Sequence, residues 1–156
     1  MTAGAPSVIA DAEGFAALVG AAPFVSGWQT IDQPSVDRFA DATGDTQWIH
    51  VDPERARRES PFGGPVAHGF MTLALIPSLL FKTVHVEHRL GVNYGLNRVR
   101  FMSPVPVGSL VRASFAVVKS TPIDGDGVQV EWLVTFERQG GERSVCVAEF
   151  ITRHYF

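Results

Sequence analysis

The 156-residue chain predicts an α+β fold in which a curled antiparallel sheet wraps around one buried apolar helix. Three observations carry that expectation. The first half of the chain reads as helix and loop and the second half as strands. The segment His68–Phe81 (HGFMTLALIPSLLF) is apolar on nearly every side, and a helix of that character must be enclosed by protein. Beyond Arg89 the apolar residues switch to a spacing of two, the period of a strand with one buried face. A sheet that curls around the helix buries both at once. No repeat, low-complexity tract or linker interrupts the chain, so residues 1–156 read as one domain of ordinary size.

The elements follow in order. Asp11–Val19 is a short helix candidate and Trp28–Ile31 a short strand. Pro34–Thr43 is a second helix: Val36, Phe39, Ala40 and Thr43 share a face, Pro34 suits the first turn and Gly44 the C-terminal stop. Asp52-Pro53-Glu54 opens another short helix, with Asp52 as N-cap and Pro53 at its first position. In the apolar segment that follows, Pro77 predicts a kink or a weakened last turn. Strands are expected at Gly95–Phe101, Leu110–Val118, Val128–Phe136 and Val145–Thr152. In the third of these, Val128, Val130, Trp132, Val134 and Phe136 should face inward, with Gln129, Glu131, Leu133 and Thr135 outward. Asp124-Gly125-Asp126-Gly127 and Gln139-Gly140-Gly141-Glu142 mark the turns between strands. The outer sheet face and its edges would still need cover, which predicts a homodimer.

Composition excludes several functions. With 46% apolar and 19% charged residues the chain is globular, and a formal net charge of -3 argues against a nucleic-acid surface. The longest charge-free apolar run, Gly69–Phe81, is far short of the about 20 residues that span a bilayer. The N-terminus has no basic residue ahead of its apolar stretch, unlike an export signal. Cys146 stands alone, so no internal disulfide forms, and its apolar surroundings make it a small buried hydrophobe. A cytoplasmic protein is expected, with neither a membrane nor a nucleic-acid partner.

The residues that bear on chemistry lie in Phe39–Ala56 (FADATGDTQWIHVDPERA). Asp45 follows the helix-ending Gly44, and His50 precedes the Asp52 cap, so one short turn between two helices presents both. A carboxylate and an imidazole held there can share a water molecule, take its proton and return one elsewhere. By spacing alone, an Asp and a His five residues apart are more often solvated polar groups. His68-Gly69 heads the apolar helix, where backbone N–H groups lack intrahelical partners and a glycine lets a substrate carbonyl come close. The alternative is a glycine that eases the loop into the helix.

Other candidates are weaker. His85 and His88 with His50 make a poor metal trio, since they lie in a polar turn with no cysteine nearby. Asp124-Gly-Asp-Gly lacks the later ligands of a calcium loop. No nucleophile elbow, phosphate-binding loop or dinucleotide-binding glycine run occurs. Arg98 and Arg100 alternate on one strand and could meet phosphates or simply face solvent; Asn93 and Asn97 are candidate polar pocket residues.

Phe39, Thr43-Gly44-Asp45, Ile49-His50 and Ala56 together resemble the signature of the MaoC-like (hydratase 2) family of (R)-specific enoyl-CoA hydratases and 3-hydroxyacyl-thioester dehydratases. The resemblance extends through Tyr94-Gly95, Arg98–Phe101 and Pro104–Gly108, and is nearest to the nodulation-protein-N-like branch. It implies the hot-dog fold, Asp45 and His50 as the catalytic pair, and the Gly69 amide as the donor to the thioester oxygen. It also implies a substrate carried on coenzyme A or an acyl carrier, with no metal and no other cofactor. The general signature has Asn-Pro where this chain has Gln47-Trp48, and an aliphatic residue in place of Ala42. Gln47, Trp48 and His68 therefore join the candidate substrate contacts, and Trp48 could line or shorten the acyl pocket. The expected activity is reversible hydration of a trans-2-enoyl thioester to an (R)-3-hydroxyacyl thioester. The rival readings are a thioester hydrolase on the same scaffold and a non-catalytic acyl-thioester-binding subunit.

Overall fold

A computed structural model describes residues 7–156. The expectation that no export signal is present rests in part on residues 1–6, which lie outside the described residues. The chain opens with β1 (Ser7–Ile9) and α1 (Ala12–Ala17), which is capped by the Asp11 carboxylate on the Gly14 amide at 2.8 Å. Two short strands follow, β2 (Phe24–Val25) and β3 (Gln29–Thr30). Helix α2 (Gln33–Thr43) starts on an Asp32 cap and stops at Gly44, whose φ of 77° is the left-handed conformation a glycine adopts at low cost. The one-turn helix α3 (Trp48–Val51) leads directly into α4 (Pro53–Glu59), where Asp52 accepts from the Arg55 amide at 3.0 Å with Pro53 in the first turn.

The apolar segment forms two helices, α5 (Gly69–Ala74) and α6 (Ile76–Thr83), broken at Leu75. Pro77 does not weaken the last turn. It sits in the first turn of α6, where its missing N–H costs nothing, and so divides the segment in the middle. The strands β4 (Val84–Val86), β5 (Leu90–Phe101), β6 (Leu110–Ile123), β7 (Gly127–Arg138) and β8 (Cys146–Tyr155) complete the chain. His85 and His88 were expected in a polar turn. His85 lies instead on β4, which pairs in parallel with β1, because β1 supplies a partner that the local sequence does not reveal.

The main sheet is antiparallel and six-stranded in the order β2-β6-β7-β8-β5, with β3 also pairing β6. The period-two reading holds: Val128, Val130, Trp132, Val134 and Phe136 are buried, and their alternating neighbours are not. The inward side chains of β6, β7 and β8 pack on Phe15 of α1, Val36 of α2, and Met71, Ile76, Leu79 and Leu80 of α5 and α6. The sheet thus curls around the apolar helices. One part of the expectation is not met within a single chain. Phe70 and Phe81 remain 68% and 58% exposed, so the sheet encloses only one side of the helices. Among the described residues no helix is long and apolar enough to cross a membrane.

Candidate active site

The left-handed Gly44 ends α2 sharply and turns the chain toward α3, with its amide donating to the Ala40 carbonyl at 2.8 Å. Asp45 is the next residue and stands exposed on this turn. His50 lies one turn of helix further on and is buried. Two long-range contacts fix α3. The Val66 amide donates to the Ile49 carbonyl at 3.0 Å, and the Gln33 side-chain amide donates to the His50 carbonyl at 2.7 Å. Segment 65–67 is itself held by 104–107, since the Ala67 amide donates to the Val105 carbonyl and the Val107 amide to the Pro65 carbonyl. The turn that carries Asp45 and His50 therefore rests on the loop that leads into α5.

His50 Nδ1 lies 2.6 Å from the Val66 carbonyl oxygen, which only accepts, so Nδ1 carries the hydrogen and Nε2 keeps a free lone pair. Burial pushes the His50 imidazole below the ordinary histidine value of 6.5; the repulsion of His68 adds to this, while the Val66 bond and the Asp45 charge oppose it. His68 is buried at the head of α5. Its Nε2–H donates to the main-chain carbonyl of Asp45 at 2.8 Å, and its ring stacks on His50 with centroids 3.8 Å apart and on Phe39 at 5.1 Å.

A carboxylate oxygen of Asp45 and one ring nitrogen from each of His50 and His68 lie within 4.8 Å of one another. The spacing invites a metal ion, but the stacking works against it. Ring lone pairs lie in the ring planes, and two rings stacked at an interplanar angle of 26° have planes that meet well beyond the about 2.0–2.1 Å of a metal–nitrogen bond. A water molecule needs only the Asp45 carboxylate and the His50 ring, to which it can bond at about 2.8 Å without drawing on His68, whose Nε2–H is already used.

Two cavities flank the pair. One of about 330 Å³ is bordered by His50, Gly69, Thr72, Phe62, Phe101 and Met102. The other, about 610 Å³ and mostly apolar, is bordered by Asp45, Phe39, Phe70, Asn93, Leu96 and Phe150. Gly69 is the first residue of α5, and its amide has no acceptor among the described residues. A Cβ on Gly69 would come within 3.0 Å of the Phe101 ring, so packing as well as substrate access requires a glycine there.

Of the residues singled out from sequence, the fold brings Asp45, His50, His68, Gly69 and Asn93 to these cavities or to one another. Others stand apart. Gln47 is exposed and precedes α3 without capping it. Trp48 lines neither cavity and lies under the Arg55 guanidinium at 4.4 Å. Arg98 and Arg100 are exposed and line neither cavity; Arg98 faces Glu149 at 4.0 Å, and Arg100 donates to the Val99 carbonyl. Gln33, Val66 and Phe101 shape the site and were not foreseen, because each acts through a contact distant in sequence. Burial pushes the Cys146 thiol up to about 11, which leaves it an inert hydrophobe.

The chain is similar to known proteins of one family. The profile described as MaoC like domain matches residues 14–137. The 3-hydroxyacyl-thioester dehydratase Z of Mycobacterium tuberculosis is 51% identical over 140 residues, covering 89% of this chain and 92% of that protein. Nodulation protein N of Rhizobium leguminosarum bv. viciae is 46% identical over 129 residues, covering 81% and 80%. Among solved structures, the R-hydratase PhaJ1 of Pseudomonas aeruginosa superposes with a TM-score of 0.71 at 21% identity, covering 86% of this chain and 81% of that one. That last likeness speaks for the hot-dog fold.

Proposed function

The chain belongs to the family of MaoC-like dehydratase domains, and from that premise we propose that it adds water reversibly to trans-2-enoyl thioesters, giving (R)-3-hydroxyacyl thioesters. It is a hydro-lyase of the dehydratase/hydratase type. The finer assignment rests on one observation above the others: a neutral imidazole with a free Nε2 stands beside a carboxylate, next to a cavity that the unpaired Gly69 amide also borders.

The chemistry follows from that arrangement. The thioester oxygen accepts from the Gly69 N–H, which stabilises the enolate-like charge that develops as C3 is attacked; one such donor contributes about 2.7–4 kcal/mol to the transition state. Water is held between the Asp45 carboxylate and His50 Nε2, and loses a proton to the pair as its oxygen bonds to C3. The pair returns a proton to C2, so hydroxyl and hydrogen add across the double bond with nothing left over. The thioester itself acidifies C2, so the step calls for no metal and no redox cofactor. The apolar cavity bordered by Leu96 and Phe150 takes the acyl chain. The carrier is coenzyme A or an acyl carrier protein.

The working unit is a homodimer in the cytoplasm. The exposed Phe70 and the open edge of β5 call for a second copy, and the lone buried cysteine makes no demand for an oxidising compartment. The assay is loss of enoyl absorbance with crotonyl-, octenoyl- and dodecenoyl-CoA, with chiral analysis of the product. Bleaching without thiol release and with (R) product is expected. Release of free thiol, or binding without turnover, would overturn the reading.

A further inference from the structure

We propose that His68 is a positioning residue of this site: its Nε2–H holds the Asp45 main chain, and its ring face holds the His50 imidazole, so one buried side chain sets the relative placement of both catalytic groups. The sequence offers His68 as a possible substrate contact, and the structure gives it a different task. The ring is 2% exposed and lines neither cavity, so a substrate has little of it to touch. Its one hydrogen bond reaches back 23 residues to the Asp45 carbonyl at 2.8 Å. That carbonyl belongs to the turn after Gly44, which has few other restraints: the Asp45 amide reaches Thr43 Oγ1 only at 3.4 Å. Without His68, the exposed carboxylate would hang from a loosely tied turn.

The ring also lies between Phe39 of α2 and His50 of α3, at 5.1 Å and 3.8 Å between centroids. It thus fills the space through which His50 could rotate away from the Val66 carbonyl. Nε2 carries the donated hydrogen, and Nδ1 is buried with no partner among the described residues. An unpaired polar atom is costly to bury. Leucine or phenylalanine would fill the same volume without that cost, so what a histidine adds here is its hydrogen bond to the Asp45 carbonyl. The titratable groups that face His50 are Asp45 from the turn and His68 from α5.

The kinetic arm of the test rests on the hydratase reading; the spectroscopic arm does not. His68→Phe keeps the ring face and removes the donor, whereas His68→Gln keeps a donor and removes the ring. In His68→Phe, kcat should fall about 10²-fold with KM changed less than about threefold, since a misplaced catalytic group is lost in the transition state and not in binding. His68→Gln should recover activity to within about tenfold of the parent. Nitrogen-15 NMR of the histidine rings should find His68 protonated on Nε2 and His50 on Nδ1 in the parent. A His68 Nε2 that carries no hydrogen overturns the inference whether or not the chain hydrates enoyl thioesters. A folded His68→Phe with the parent's kcat overturns it as well. A parent without hydratase activity overturns the functional reading alone.

Discussion

His50 has two ring nitrogens, and the Val66 carbonyl occupies one of them. That bond selects the tautomer with a free Nε2, and burial keeps the ring neutral in the range where an ordinary histidine would charge. The pH dependence follows from the sign of the shift. The working form is the neutral base, and its titration is displaced below 6.5, so kcat/KM should stay flat from neutral pH down to 6.5 and fall only below it. An acid limb centred above 6.5 would separate His50 from the rate. Replacing Asp45 by Asn or His50 by Gln should cost on the order of 10²–10⁴ in kcat with the fold intact by circular dichroism. Near-parent turnover in a folded variant removes that residue from the mechanism. The turn that carries the pair was legible in the sequence, since a glycine stop, an acid, a histidine and a new helix cap follow one another within a few residues, but by spacing alone the two read as solvated polar groups and only the family resemblance singled them out. The supports of that turn were not legible. Val66, Gln33 and His68 reach the turn across 16, 17 and 23 residues, and no local pattern records a hydrogen bond to a distant carbonyl.

At the scale of elements, β6, β7 and β8 were read correctly because each is long enough to repeat its alternation of buried and open residues, an alternation that β5, open to solvent along nearly its whole length, does not show. The strands β1, β2 and β4 were missed because two or three residues carry no period. One consequence of β4 is a second histidine pair, distant in function from the first. His88 follows β4 and meets His154 of β8, Nδ1 to Nδ1 at 2.8 Å; His154 Nε2 meets Thr152 Oγ1 at 2.8 Å, and Thr152 accepts from the Trp132 indole at 2.9 Å. Gly91 makes room for this chain, since a Cβ there would stand 2.5 Å from the His88 ring. Facing Nδ1 atoms share one hydrogen, so a proton added to the pair breaks their bond. Burial and the neighbouring His88 push His154 down to about 4, against 6.5 when unfolded. Between those values the unfolded chain binds the extra proton and the folded chain refuses it. Stability is therefore complete above pH 6.5 and declines steadily as pH falls toward 4. Urea midpoints taken across that range should drop in the parent and drop less in His154→Gln, which cannot charge. Parallel curves for the two proteins would show that acid acts elsewhere.

For the molecule as a whole, one curled sheet around a broken apolar helix leaves a particular surface unsatisfied. Strand β5 is the open edge of the main sheet and, among the described residues, pairs only with β8. Leu90, Val92, Tyr94, Leu96 and Phe101 along it are all exposed, with Phe70 of α5 beside Phe101 at 5.7 Å between centroids. An edge of this kind, long and apolar, is one that folded proteins cover. The same stretch borders both cavities: Leu96, Asn93 and Phe70 line the one that Asp45 faces, and Phe101 lines the one that His50 faces. A second copy seated on β5 would therefore close the sheet edge and roof the acyl site together, linking assembly to catalysis. Light scattering should give twice the chain mass of 16.9 kDa at micromolar concentration. Val92→Glu places a charge on the edge without touching either cavity lining, so it should yield a folded monomer with a raised KM for long-chain substrates and a smaller change for crotonyl-CoA. Short acyl groups need less of the roof than long ones, because each buried CH₂ contributes about 0.8 kcal/mol. A parent protein that runs as a monomer, or a monomeric variant that handles dodecenoyl-CoA as the parent does, would show that a single chain completes its own site.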